Sequence, residues 1–87
     1  MKGDIMQILY FGRLREVFGR SEEFLPAPPA ASVAGLLTVL RERGGVWADE
    51  LAEGRAYRVA VDQEVVAVGA PIKADSEVAI FPPVTGG

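Results

Sequence analysis

The chain has 87 residues, 49% of them apolar and 24% charged, and a net charge of −3. This is the composition of one soluble domain, and it is too acidic for a nucleic-acid binder, which needs a basic face. The absence of cysteine and histidine removes disulfides, thiol nucleophiles, Ser-His and Cys-His relays and Cys/His metal sites, so no metal is expected.

The opening "MKGDIMQILYF" places Asp4 and Gln7 inside what would be the apolar core of a signal peptide. No apolar run approaches the roughly 18 residues of a membrane span. A cytoplasmic protein that contacts neither membrane nor nucleic acid is expected.

Residues 5–11, "IMQILYF", read as a strand, nearly continuous and therefore central. Residues 13–18, "RLREVF", read as a short helix stopped by Gly19. "SEEFLP" (21–26) reads as a short strand pairing antiparallel with the first and closed by Pro26. A proline-rich connector follows at 26–32. Ser32 has the chemistry of an N-cap. Val33, Leu36, Leu37 and Leu40 then fall at i, i+3, i+4 and i+7 and draw one apolar helical stripe. Arg41 and Arg43 suit the last turn, and Gly44-Gly45 end the helix.

Residues 46–53 read as another short helix, with Trp47 and Leu51 at the core edge. "YRVAVD" (57–62) alternates as a half-buried strand, Asp62-Gln63 turns, and "EVVAV" (64–68) returns as a hairpin. "KADSE" (73–77) is a loop, and "EVAIF" (77–81) is the last strand before Pro82. One long amphipathic helix between two strand pairs predicts an α+β, β-grasp (ubiquitin-like) fold, with a mixed sheet packed on that helix. The expected division is a β-grasp domain over 1–81 and a flexible Gly-Gly tail over 82–87.

The tail "FPPVTGG" is organised. Pro82 and Pro83 keep it from continuing as a ladder strand and favour extended backbone. Six residues, fully extended, reach roughly 20 Å. Gly86 and Gly87 present no side chain to a narrow passage, and no Cβ hinders attack on the terminal carbonyl. Such a tail suits delivery of a carboxylate into another protein's active site. Activation by ATP and attack by a sulfur nucleophile would leave a thiocarboxylate, which carries sulfur without a cysteine. A frayed terminus is the bland alternative.

"SEVAIFPPVTGG" (76–87) resembles the C-terminus of the molybdopterin synthase small-subunit family, the MoaD sulfur carriers. "ILYFGRLREVFG" (8–19) resembles that family's opening strand and first helix, "SVAGLLTVLRER" (32–43) its long helix, and "VAVDQEVV" (59–66) its hairpin, with Asp62 where asparagine is common. The resemblance implies that the Gly87 carboxylate is adenylated by a MoeB-like enzyme using ATP and converted from glycyl-adenylate to thiocarboxylate. Pro82, Pro83, Val84, Thr85 and Gly86 would carry it into a MoaE-like large subunit, where sulfur passes to a cyclic pyranopterin precursor to build the molybdopterin dithiolene. The family assembles as a heterotetramer of two small and two large subunits with the active sites in the large ones. The small subunit binds no cofactor and is not an enzyme alone.

The same resemblance assigns Phe11, Val65 and Phe81 to an apolar partner surface and Arg15 to a contact with the partner. Each of the three apolar residues also suits a core, and Arg15 a solvated helix face. Two functions remain open beside the main one. One is a sulfur carrier for thiamine, tRNA thiolation or cysteine synthesis. The other is a ubiquitin-like modifier passing its glycine to a lysine. An enzyme built on Glu22/Glu23 or Asp49/Glu50 is disfavoured, because adjacent residues on a strand or helix point apart.

Overall fold

Period-two burial along the strands sorts the chain's apolar residues onto two surfaces. The computed structural model describes residues 5–27 and 31–83. Its elements run β1 (Ile5–Tyr10), α1 (Gly12–Phe18), β2 (Glu22–Pro26), α2 (Val33–Arg41), α3 (Val46–Glu50), β3 (Arg58–Val61), β4 (Glu64–Val66) and β5 (Glu77–Phe81). The strands form one mixed sheet in the order β2-β1-β5-β3-β4. β1 and β5 are parallel neighbours, and the other pairs are antiparallel. This is the expected α+β β-grasp sheet, with β1 central.

The helices cover one face. Met6, Ile8 and Tyr10 from β1, Val59 from β3, and Val78 and Ile80 from β5 meet Val33, Leu36, Leu37 and Leu40 from α2 in a single core with Leu14, Phe18 and Leu51. The stripe read from the sequence is thus the buried face of α2. Ser32 caps that helix, its Oγ accepting from the Gly35 amide at 3.1 Å.

β1 and β3 end one residue earlier than the sequence suggests, at Tyr10 and Val61, and α2 ends at Arg41, leaving Arg43 beyond its last turn. β4 and α3 also end early, for tertiary reasons. β4 stops at Val66 because the next carbonyls are used elsewhere. Val68 and Ala70 accept from the Ala34 and Val33 amides, satisfying donors that the first turn of α2 leaves free. α3 stops at Glu50, and the Leu51 carbonyl accepts from Arg41 Nε at 2.6 Å.

The turn of the second hairpin places Asp62 at φ 52° and Gln63 at φ 74°. Both central residues are therefore left-handed, as a tight two-residue hairpin requires, and aspartate tolerates this better than most side chains. Asp62 also accepts from the Ser76 hydroxyl at 3.1 Å and from the Glu77 amide at 3.0 Å. One carboxylate thereby ties the hairpin to the start of β5.

A polar clamp closes the other end of the core. Phe18 and Trp47 stack at 3.9 Å, with Tyr10 edge-on to both. The Arg43 guanidinium lies 4.4 Å from the Trp47 ring centre and donates twice to Glu23, at 2.9 and 2.8 Å. Tyr10 Oη donates to the same carboxylate at 2.5 Å. Burial alone would raise the Glu23 carboxyl. The hydrogen bonds from Arg43 and Tyr10, with the charges of Arg43 and Arg20, outweigh burial and hold it below its ordinary value. Burial, then the Glu23 bond, pushes the Tyr10 phenol upward.

A candidate docking face and the root of the tail

The sheet's second face has no helix on it. Strand register sets its rows. Phe24, Gln7 and Glu77 stand side by side across β2, β1 and β5. The next row is Glu22, Leu9, Ala79, Ala60 and Val65, and the row after it pairs Phe81 with Arg58. Ile5 lies at the opposite end of β1. Phe24 is 61% exposed, Val65 60%, Phe11 46% and Ile5 43%. An antiparallel sheet face left to water alone alternates toward polar residues. This one keeps an apolar strip, the kind of surface that marks an interaction site.

Phe81 lies on this open face, half-buried, because Val78 and Ile80 take the packed side. Phe11 follows β1, and its amide donates to the Ile80 carbonyl at 3.1 Å, so the parallel β1–β5 pair brings the segment of Phe11 beside that of Phe81. Val65 lies across Ala60 and Ala79 from Leu9. Thus Phe11, Val65 and Phe81, far apart in sequence, border one surface. Arg15 is exposed on α1, apart from the strand rows.

The tail leaves this surface at its edge. Pro82 and Pro83 are half-buried and outside any strand. Gly12 has φ +58° and lies so close to the Pro82 ring that a Cβ there would come within 3.2 Å of Pro82 Cγ. The backbone conformation favours glycine, and a Cβ would need the Pro82 ring to give by a few tenths of an ångström. Arg13, Glu50, Arg55 and Pro82 line a hollow of about 340 Å³ beside this point. Arg13 grips Glu50 with two bonds of 2.5 and 2.8 Å, and Arg55 approaches it at 3.5 Å. The Arg13 hydrogen bonds, then its charge, keep the Glu50 carboxyl below its ordinary value. Val84, Thr85, Gly86 and Gly87 lie outside the described residues.

Neither carboxylate pair converges. Glu22 accepts from Gln7 Nε2 at 2.8 Å on the open face, while Glu23 is held by Arg43 and Tyr10 on the packed side. Among the described residues no group of acidic side chains is arranged to hold a metal ion, and no helix is long and apolar enough to cross a membrane.

Leu9, Phe24, Arg58 and Gly12 were not singled out by sequence reasoning. The first three carried a usable signal, the alternation within "IMQILYF", "SEEFLP" and "YRVAVD". Gly12 carried none, because its need for glycine arises from Pro82, 70 positions away.

The ThiS family model matches residues 8–87. The chain belongs to this family. It is 32% identical over 83 residues to the molybdopterin synthase sulfur carrier subunit of Haemophilus influenzae, covering 95% of this chain and all of the relative. A Pyrococcus furiosus structure described as a putative molybdopterin converting factor, subunit 1, superposes with a TM-score of 0.77 at 25% identity, covering 93% of this chain and 99% of that one. SAMP1 from Haloferax volcanii superposes with a TM-score of 0.71 at 29% identity, covering 95% and 99%.

Proposed function

We propose that this member of the ThiS family is the sulfur-carrier subunit of a molybdopterin synthase. The observation that carries this reading is the full-length relationship to a carrier of that name, joined to a tail that follows directly on the last strand. In the proposed cycle the Gly87 carboxylate attacks the α-phosphate of ATP on an adenylating enzyme of the MoeB kind. Pyrophosphate leaves, and a glycyl-adenylate forms. A hydrosulfide-level nucleophile then attacks the acyl carbon and displaces AMP, leaving the thiocarboxylate. Transfer of that sulfur to the pyranopterin precursor, with water supplying the returning oxygen, restores the carboxylate.

This chain's own part is to present the tail. Pro82 lies close to Gly12 at the start of α1. The open face docks on the large subunit, with Phe11, Val65 and Phe81 as its apolar contacts and Arg15 as a charged one. Val84, Thr85 and Gly86 enter the partner's channel, and the active site lies in the large subunit. Two small and two large subunits form the assembly, which works in the cytoplasm.

The test is the intact mass of the chain after incubation with such an adenylating enzyme, ATP and sulfide. The expected result is the gain for one oxygen exchanged for sulfur, mapped by fragmentation to Gly87. Deleting Gly87, or adding one residue after it, should abolish this transfer and leave the thermal midpoint unchanged. A Gly87-less chain that still supports dithiolene formation would sink the reading.

A second reading rests on the likeness to SAMP1, whose name stands for small archaeal modifier protein 1. As a modifier, the chain would pass the same activated glycine to a lysine amine and give an isopeptide bond. Mass spectra of lysine-bearing proteins from the same incubation separate the two outcomes.

A further inference from the structure

We propose that the open face carries a charge order that fixes the direction of docking, with Arg58 at the tail end meeting a carboxylate of the partner and Glu77 at the far end meeting a cation. This inference rests on the sulfur-carrier reading. It concerns how the large subunit recognises the face.

The starting observation is which arginines are already engaged. Arg20 and Arg43 share Glu23, and Arg13 and Arg55 share Glu50. Arg41 donates to the Leu51 carbonyl and reaches Tyr57. Arg15 and Arg58 take part in none of the ion pairs or side-chain hydrogen bonds among the described residues, and both are exposed, but only Arg58 stands in the strand rows of the open face. Its strand partner is Phe81, the last residue before the tail. A guanidinium beside an open-face aromatic, at the point where the tail departs, is placed to contact whatever receives the tail.

The other end has the opposite sign. Glu77 opens β5 on the same face, in one row with Gln7 and Phe24. Its backbone amide is taken by Asp62, but its carboxylate has no cation among the described residues. Glu22 stands in the adjoining row and receives only the neutral Gln7 amide. Phe81 is four residue steps along β5 from Glu77, about 13 Å at strand rise. Between the two ends run Leu9, Ala79, Ala60 and Val65, apolar apart from Glu22 at the β2 edge of the same row.

An apolar strip by itself gives affinity with little directional preference, whereas opposite charges at its ends favour one orientation and repel the reversed one. The tail demands this, because docking turned end for end would aim Gly87 away from the channel. The complementary surface is an apolar patch with an acidic side chain at the channel mouth and a basic one about 13 Å away. The separation exceeds a Debye length of about 8 Å at physiological salt, so the two ends are felt separately and salt weakens the preference.

The experiment measures association rates of the unaltered full chain and of variants with the molybdopterin synthase large subunit of the same organism, at low and high salt. Arg58→Glu should slow association at least about tenfold at low salt, and Glu77→Lys should slow it also, both approaching the unaltered rate at high salt. Glu64→Lys makes the same charge change as Glu77→Lys. It lies on β4 across from Val61, on the other side of the sheet, and should leave the rate unchanged. Equal slowing by Glu64→Lys, or unaltered rates for Arg58→Glu and Glu77→Lys, overturns the charge order and leaves the carrier reading standing. No association by the unaltered chain overturns the carrier reading and the charge order with it. The thiocarboxylate assay on Arg58→Glu, with an adenylating enzyme, separates lost docking from a lost tail.

Discussion

Along β1, Met6, Ile8 and Tyr10 are 3%, 0% and 1% exposed, whereas Ile5, on the opposite side of the same strand, is 43% exposed. Its strand neighbours extend the contrast, since Ile80 of β5 is fully buried on one face and Phe24 of β2 is 61% exposed on the other. Both faces are rich in apolar side chains. Only one is covered by the chain's own helices. The packed face is therefore a matter of stability, and the open face holds apolar area that contributes little to folding and remains available to a partner.

That contrast can be broken by substitution. Ile8→Ala on the packed face should cost about 2–5 kcal/mol in a denaturant titration, a large share of the roughly 5–15 kcal/mol that holds a domain together. Phe24→Ala on the open face should change the same midpoint by no more than about 0.5 kcal/mol. Equal losses from the two substitutions would erase the distinction between the faces. Phe81→Ala should reverse the pattern in a binding assay with the large subunit. A weakening of about 30-fold, or about 2 kcal/mol, is expected if this aromatic anchors the partner, with a stability loss smaller than that of Ile80→Ala.

Two glycines sharpen the contrast at the tail root. Gly12→Ala and Gly19→Ala both force a left-handed backbone on alanine, at about 1–2 kcal/mol. Space is open at Gly19, while Pro82 crowds Gly12. Gly12→Ala should therefore destabilise more than Gly19→Ala, and it alone should slow thiocarboxylate formation by displacing Pro82.

The smallest effect concerns pH and the packed side. Glu23's carboxyl is held below its ordinary value of 4.5 in the folded chain. Its contribution is thus present above that value and is lost as pH falls through the lower, folded one. Glu23→Gln should be less stable than the unaltered chain at pH 7, and the two should converge below about pH 4.5. Fluorescence of Trp47, which lies under Arg43, reports the transition.

Much of the fold was legible because it is written in short-range periodicity. The i, i+3, i+4, i+7 stripe of α2, the Ser32 cap, the Gly19 stop and the Asp62-Gln63 turn each depend on residues within a few positions of one another. The strands follow from alternation, including the weakly marked "SEEFLP", whose Glu22 and Glu23 point to opposite faces and find separate partners. At the candidate site, alternation was enough to turn Phe81 away from the core. It was not enough to bring Phe81 to Phe11 or Arg58, since those meetings depend on β5 inserting between β1 and β3.

The sequence by itself determined the kinds of elements, their order, the apolar face of each, and a closing "FPPVTGG" whose two prolines stop the last strand. Local backbone preference and side-chain spacing suffice for all of these. Tertiary structure alone decided that β1 and β5 lie parallel at the centre, that Pro82 comes close to Gly12, that Glu23 and Glu50 each engage two arginines, and that Arg58 engages none among the described residues. Such pairings join positions tens of residues apart. Periodicity reports which way a side chain faces, and only closure of the chain decides what it meets there.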